Sequence, residues 1–123
     1  MSSLQVLIHL CQRTAWENSQ AAGEYRAASL ETEGFIHCSR PEQILAVANT
    51  FYRGQVDLVL LWIDPGKVQP EIRWEEADNQ VFPHIYGPLN LNAVLEVSAL
   101  KQDEHGIFRK LDWPDIIMPY MGE

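Results

Sequence analysis

Three of the four histidines sit in stretches that read as strands, each beside other side chains able to bind a ligand or move a proton. His9 lies in Gln5-Val-Leu-Ile-His-Leu-Cys11, His37 in Gly34-Phe-Ile-His-Cys-Ser39 and His84 in Val81-Phe-Pro-His-Ile-Tyr-Gly-Pro88. Imidazole ordinarily titrates near neutrality, so it suits acid–base work, hydrogen bonding to a ligand, or metal ligation. A single histidine in an apolar strand is more commonly a satisfied structural group, and three of them reinforce one another only where their strands converge. His105 falls in a loop tip with Asp103 and Glu104 and is expected to be exposed and without a role.

His37 precedes a helix start. Ser39-Arg-Pro-Glu42 has the pattern of a capping box, with Pro41 tolerated in the first turn. Backbone donors and the helix dipole there favour a phosphate or carboxylate, with Arg40 close enough to assist, unless Ser39 merely caps the helix and His37 bonds a neighbouring carbonyl. Phe82, His84 and Tyr86 fall on one strand face between prolines. This is either one wall of a ligand pocket or an aromatic edge covering the core. Glu71, Arg73 and Glu75 share a face with Trp74 on the other, and a solvated charged face is the leading expectation for them.

The elements that must position these residues follow from periodicity. In the first strand Val6, Ile8 and Leu10 alternate with Leu7, His9 and Cys11, so His9 should point away from the Val6 face. Thr14 and Glu17 form a second capping-box pattern, predicting a helix of about two turns that Gly23 ends. Ile44, Val47, Ala48, Phe51 and Tyr52 recur at helical spacing before Gly54. Asp57 to Asp64 is a nearly continuous apolar run ended by Pro65-Gly66, which predicts a central strand covered on both faces. Further strands are expected at Glu71–Glu75, Val81–Tyr86 and Ala93–Leu100, then a hairpin loop at Asp103–Gly106 leading into Ile107–Leu111. The segment from Trp113 onward carries no clear assignment. The expectation is one α+β domain over residues 1–123, with a mixed, mostly antiparallel sheet and two or three helices.

With 123 residues and 46% apolar side chains the chain can bury roughly two-thirds of its unfolded surface without staples. Its net charge of −8 gives no global drive toward nucleic acid. The longest apolar run, Leu58–Ile63, is too short for a bilayer, and no secretory signal pattern opens the chain, so a cytoplasmic protein with no membrane partner is expected. Cys11 and Cys38 have no metal-type spacing and read as buried thiols. Phosphate loops, the Gly-x-Ser-x-Gly elbow and the zinc-protease histidine pair are all missing.

The succession Ile8-His9, Gly23-Glu-Tyr25, Glu33-Gly-Phe-Ile-His-Cys-Ser39 with Glu42-Gln43, Arg73-Trp-Glu75 and Phe82-Pro-His-Ile-Tyr-Gly-Pro-Leu89 resembles a bacterial family catalogued as domain of unknown function 952, over about residues 5–100. That family has been grouped by remote similarity with the ADP-ribosyltransferase-like fold, whose members cleave NAD at the nicotinamide bond. The resemblance implies that His9 would hydrogen-bond the NAD ribose, that His37 and Ser39 would line the nicotinamide site, and that Glu75 would be the catalytic carboxylate. Arg26, Arg40 and Arg73 are the candidates to hold the diphosphate, and a counterpart of the late-strand glutamate motif of established members is not evident.

The candidate catalytic set is therefore His9, His37, Glu75 and His84, with Ser39, Arg40, Arg73, Phe82 and Tyr86 as candidate ligand-binding residues. The first reading is an ADP-ribosyltransferase-like enzyme or a binder of an NAD-derived small molecule, with NAD as substrate. The second is a non-catalytic module for a small metabolite or peptide. In the third, His9, His37, His84 and Glu75 ligate zinc, iron or nickel.

Overall fold

The computed structural model describes residues 6–115, so the expected strand start at Gln5 and the chain end from 116 to 123 lie outside the described residues. The strands are β1 (Leu7–Gln12), β2 (Glu24–Tyr25), β3 (Ile36–His37), β4 (Leu58–Ile63), β5 (Glu71–Ala77), β6 (Gln80–Tyr86), β7 (Leu89–Asn90) and β8 (Val94–Leu100); the helices are α1 (Arg13–Ala22), α2 (Ala28–Thr32) and α3 (Pro41–Phe51). Short 3-10 turns occupy Pro65–Lys67 and Leu91–Ala93. Every strand pairing is antiparallel, in the orders β1-β4-β8, β2-β7 and β3-β6-β5. This is the α+β architecture that the sequence predicts. No helix among the described residues is long and apolar enough to cross a membrane.

All six residues of β4 are buried, as a central strand requires. Its two faces feed two apolar layers. Leu58, Leu60 and Trp62 pack with Val6, Ile8, Leu10, Leu100 and Phe108 under Ile44 and Ala48 of α3. Val59, Leu61 and Ile63 pack with Leu7, Cys11, Tyr25, Ile36, Cys38, Ile85 and Leu89, and with Ala15 and Trp16 of α1.

Several local expectations give way to longer-range partners. Neither Thr14 nor Glu17 caps α1; the helix begins at Arg13, whose N–H bonds the Asp57 carbonyl at 3.0 Å and whose guanidinium meets the Asp57 carboxylate at 2.9 Å. Gly23 does end it, left-handed at φ 83°. The second box moves by one residue. Arg40 is the residue before α3, and its N–H donates to Gln43 Oε1 at 2.8 Å, because the Ser39 backbone is already committed to β1. Phe51, expected in the buried stripe, is 64% exposed; Leu45 and Tyr52 complete the stripe with Ile44 and Ala48. Ile107–Leu111 forms no strand. Instead the Asn49 side chain of α3 takes both backbone groups of Phe108 at 2.8 Å, docking this segment on a helix.

The sheets of β1 and β3 are joined at a single bridge, where Ile8 and Ser39 exchange both backbone hydrogen bonds at 2.8 Å. One step along, His9 closes the seam with its side chain. The His37 carbonyl can only accept, so His9 Nδ1–H donates to it (2.5 Å), and the bare Nε2 accepts from the Tyr25 hydroxyl (2.8 Å). Burial pulls the His9 pKa down from 6.5 to about 4, the bond to the His37 carbonyl opposing the shift and the nearby His37 ring adding to it. The imidazole is therefore neutral at physiological pH.

Two expected outcomes follow from this packing. Leu60→Ala, at a site 1% exposed, should cost about 2–5 kcal/mol in urea denaturation through the cavity it leaves. Between pH 6.5 and 4 the unfolded chain protonates position 9 before the folded one, so stability should fall as pH drops through this window. The loss attributable to His9 reaches about 3 kcal/mol at its lower end. In His9→Gln, whose amide can serve both partners without titrating, that component should vanish from urea curves across the window; parallel pH profiles in the two proteins would refute the assignment.

Candidate functional site

Strand alternation decides which candidates meet. His37 shares the face of Ser39, whose bridge partner Ile8 belongs to the α3 layer, whereas His9 lies with Leu7 and Cys11 on the opposite face. His9 thus supports the site strand from behind, with both ring nitrogens engaged inside the protein. Ser39 is likewise buried, its backbone tied to Ile8.

The other candidates gather on the outer face of β3-β6-β5. His84 is the cross-strand neighbour of both His37 and Arg73, while Tyr86 faces Glu71 and Phe82 faces Glu75. Glu71 and Arg73 are exposed, as expected of a solvated face, and Glu75, half-buried, joins that face to the histidine cluster. The Phe35 ring stacks on His84 at 4.1 Å between centroids, and it lies 4.8 Å from His37 and 5.2 Å from Tyr86. The His37 and His84 rings are 5.3 Å apart, edge to face.

Charge is concentrated on Glu75. Its Oε1 accepts from His84 Nδ1 and from the Tyr86 hydroxyl, each at 2.7 Å. These two bonds, that of His84 first, hold the Glu75 carboxyl below the usual carboxylate range, so it is ionised and can only accept. A hydrogen of His84 must then sit on Nδ1, so in the neutral ring the lone pair is on Nε2. The same bond to Glu75 raises the Tyr86 phenol above its ordinary value. Arg73 places its guanidinium 4.2 Å from the centre of the Tyr86 ring and also pairs with Glu71 at 3.1 Å. His84 is buried, whereas His37 is exposed, its Nε2 3.2 Å from both carboxylate oxygens of Glu33.

The remaining candidates stand apart. Arg40 pairs with Glu42 at 2.8 Å, and Arg26 with Glu24 and Glu31. Phe82 is half-buried on the same face, at the Glu75 side. Burial pushes the Cys11 thiol up to about 11 and the Cys38 thiol up further, so both stay protonated and unreactive. Among the described residues no group of three or more His, Cys, Asp or Glu side chains is arranged to hold a metal ion. The expected set of His9, His37, His84 and Glu75 does not assemble, because His9 lies on the other face.

Sequence reasoning missed Phe35, Glu33 and Tyr25. Phe35 was legible, since it alternates onto the His37 face of its strand. Glu33 and Tyr25 reach their histidines only through the fold. A concavity of about 320 Å³ lies elsewhere, lined by Arg13, Gln55, Val56, Leu58, Leu100 and Gln102 among others.

Comparison with known proteins adds a family. Residues 10–97 match the model described as "Protein of unknown function (DUF952)". The chain is similar to the crystal structure of protein CC0527 from Caulobacter crescentus, with a TM-score of 0.79 and 30% identity over 85% of this chain and 94% of that one. It is also similar to the solution NMR structure of CC0527, with a TM-score of 0.73 and 30% identity over 85% and 91% of the two chains. A search of curated proteins gave no match. With most of its length matched by one family model, this chain belongs to the DUF952 family of proteins of unknown function.

Proposed function

We propose that the outer face of β3-β6-β5 binds a small NAD-derived ligand and that His84, oriented by Glu75, is its acid–base group. The observation that carries this reading is the Glu75 carboxylate oxygen shared by His84 Nδ1 and the Tyr86 hydroxyl at 2.7 Å. A histidine fixed in this way presents Nε2 as a base and has a carboxylate ready to stabilise the imidazolium once a proton is taken. Around it, the rings of Phe35, His37 and Tyr86 offer stacking to a planar base such as nicotinamide or adenine, and Arg73 offers a guanidinium to an anionic oxygen.

These groups suit transfer at an N-glycosidic carbon. Cleavage of the nicotinamide bond builds positive charge on the ribose, which the Glu75 anion stabilises. Nicotinamide leaves with the bonding electron pair, the acceptor oxygen bonds the ribose carbon, and its proton passes to His84 Nε2. His9, with both nitrogens engaged, acts here by holding the His37 strand rather than by touching the ligand.

A second reading, a non-catalytic module for a small metabolite or peptide, is favoured by the placement of the cluster on an open sheet face rather than in the 320 Å³ concavity. The two separate cleanly. In NMR titrations with NAD, nicotinamide and ADP-ribose, shifts should be confined to residues 35–37, 73–75 and 82–86, with a divalent-metal titration as control. His84→Gln should keep ligand affinity within a few-fold yet lower nicotinamide release about 100-fold or more. Binding without release in the native protein would establish the second reading, and no shift with any of the three ligands would end the NAD reading.

A further inference from the structure

The β5 strand is the outer edge of its sheet, with β6 on one side and no strand among the described residues on the other. The direction of its unused backbone groups can be derived. Cys38 N–H donates to the Pro83 carbonyl at 3.1 Å, so the backbone of Pro83 faces β3 and not β5. Pro83 is the register partner of Trp74, which makes Trp74 a position whose own N–H and C=O point away from β6. The same holds two residues either side, at Ile72 and Glu76. Among the described residues the edge thus presents a ladder of unpaired donors and acceptors centred on Trp74.

The side chains along this edge are self-complementary about the same residue. With one strand set antiparallel to a copy of itself and Trp74 opposite the partner's Trp74, Arg73 falls opposite the partner's Glu75 on the site face. Ile72 then falls opposite the partner's Glu76 on the other face, and Glu71 opposite the partner's Ala77. No like charges face each other. A shift of two residues in one direction sets Arg73 against Arg73, and in the other Glu75 against Glu75; a shift of one sends the side chains to opposite faces. Among registers that overlap at least five of the seven β5 residues, the charges therefore admit one. Of the four large apolar side chains left exposed among the described residues, Trp74 (49%) and Val81 (41%) lie together on the hairpin face away from the cluster, where the two tryptophans would cover one another.

We propose that two copies of this chain pair through β5, antiparallel about Trp74, so that three strands from each form a continuous six-stranded sheet and Arg73 of each copy abuts the partner's Glu75. The assembly is isologous, the same strand serving both sides of a two-fold axis. It makes the partner's guanidinium part of the surroundings of the Glu75–His84 pair, whatever ligand that pair serves.

Sedimentation equilibrium of the full chain from micromolar to millimolar concentration should give twice the 14.1 kDa chain mass at the upper end. Trp74→Pro removes a donor that the dimer uses and the β5-β6 ladder does not, so it should give the single-chain mass with an unchanged far-UV spectrum. The R73E and E75R variants should each be monomeric, since each sets like charges opposite in the homodimer, yet an equal mixture of the two should dimerise, because carboxylates at 73 and 75 then meet guanidinium groups at both positions. R73E alters a half-exposed side chain and keeps the test readable if proline disturbs the hairpin. A native protein that stays at the single-chain mass throughout overturns the proposal, even if it captures an added strand-forming peptide, and so does a dimer that survives both Trp74→Pro and R73E.

Discussion

One neutral imidazole holds the three sheets together. Through His9 the β1 sheet reaches the carbonyl of His37 in β3 and the hydroxyl of Tyr25 in β2, at a place where the backbone offers only the Ile8–Ser39 bridge. The carbonyl, which can only accept, needs a hydrogen on Nδ1, and in the neutral ring this leaves Nε2 bare to accept from the hydroxyl. Burial excludes a charged ring at neutral pH, so Nε2 is bare and the hydroxyl is the donor. The position of the histidine cluster relative to the core thus depends on a residue that is not part of the cluster.

On the outer face the organising group is Glu75, and the physics is reversed. Its charge is retained because two short hydrogen bonds and a nearby guanidinium favour the ionised form, and that charge in turn decides which nitrogen of His84 is bare. The hairpin sets the spacing. Asp78 and Asn79 take left-handed conformations with φ of 51° and 64°, the turn geometry that matches the twist of a two-residue hairpin. This fixes the register that brings residues 73 and 75 beside 84 and 86. At the far end Gly87 lets Pro70 pass, where an added Cβ would lie 2.9 Å from the Pro70 ring.

The large elements were legible because their signals are local and repeated. The six-residue apolar run of β4, the alternation of β1 and the stripe of Ile44 and Ala48 each imply their burial without knowledge of partners. The errors share a cause: a distant group satisfied what a nearby one was expected to satisfy. The Asp57 backbone starts α1 in place of Thr14, Ile8 occupies Ser39 and shifts the α3 cap to Arg40 and Gln43, and Asn49 draws Phe108 away from a strand. The same limit governs the site. Phe82, His84 and Tyr86 could be placed on one face from alternation alone. That Glu71, Arg73 and Glu75 belong to that face depended on hairpin register, and that His9 does not depended on the seam.

Pro83 interrupts the ladder beside the site. It accepts from Cys38 but, having no N–H, cannot return the bond, so the β3–β6 ladder lacks a rung next to a strand only two residues long. The β5–β6 hairpin, with its seven-residue register, has no such gap. Local opening of the native state should therefore separate β3 from β6 at lower cost than it separates β6 from β5, and amide hydrogen exchange around Phe35–Cys38 should proceed without global unfolding. In such an opening the Phe35 ring would leave the face of His84 while Glu75 keeps its hydrogen bond to Nδ1, so the cover over this imidazole is carried by the strand that His9 props.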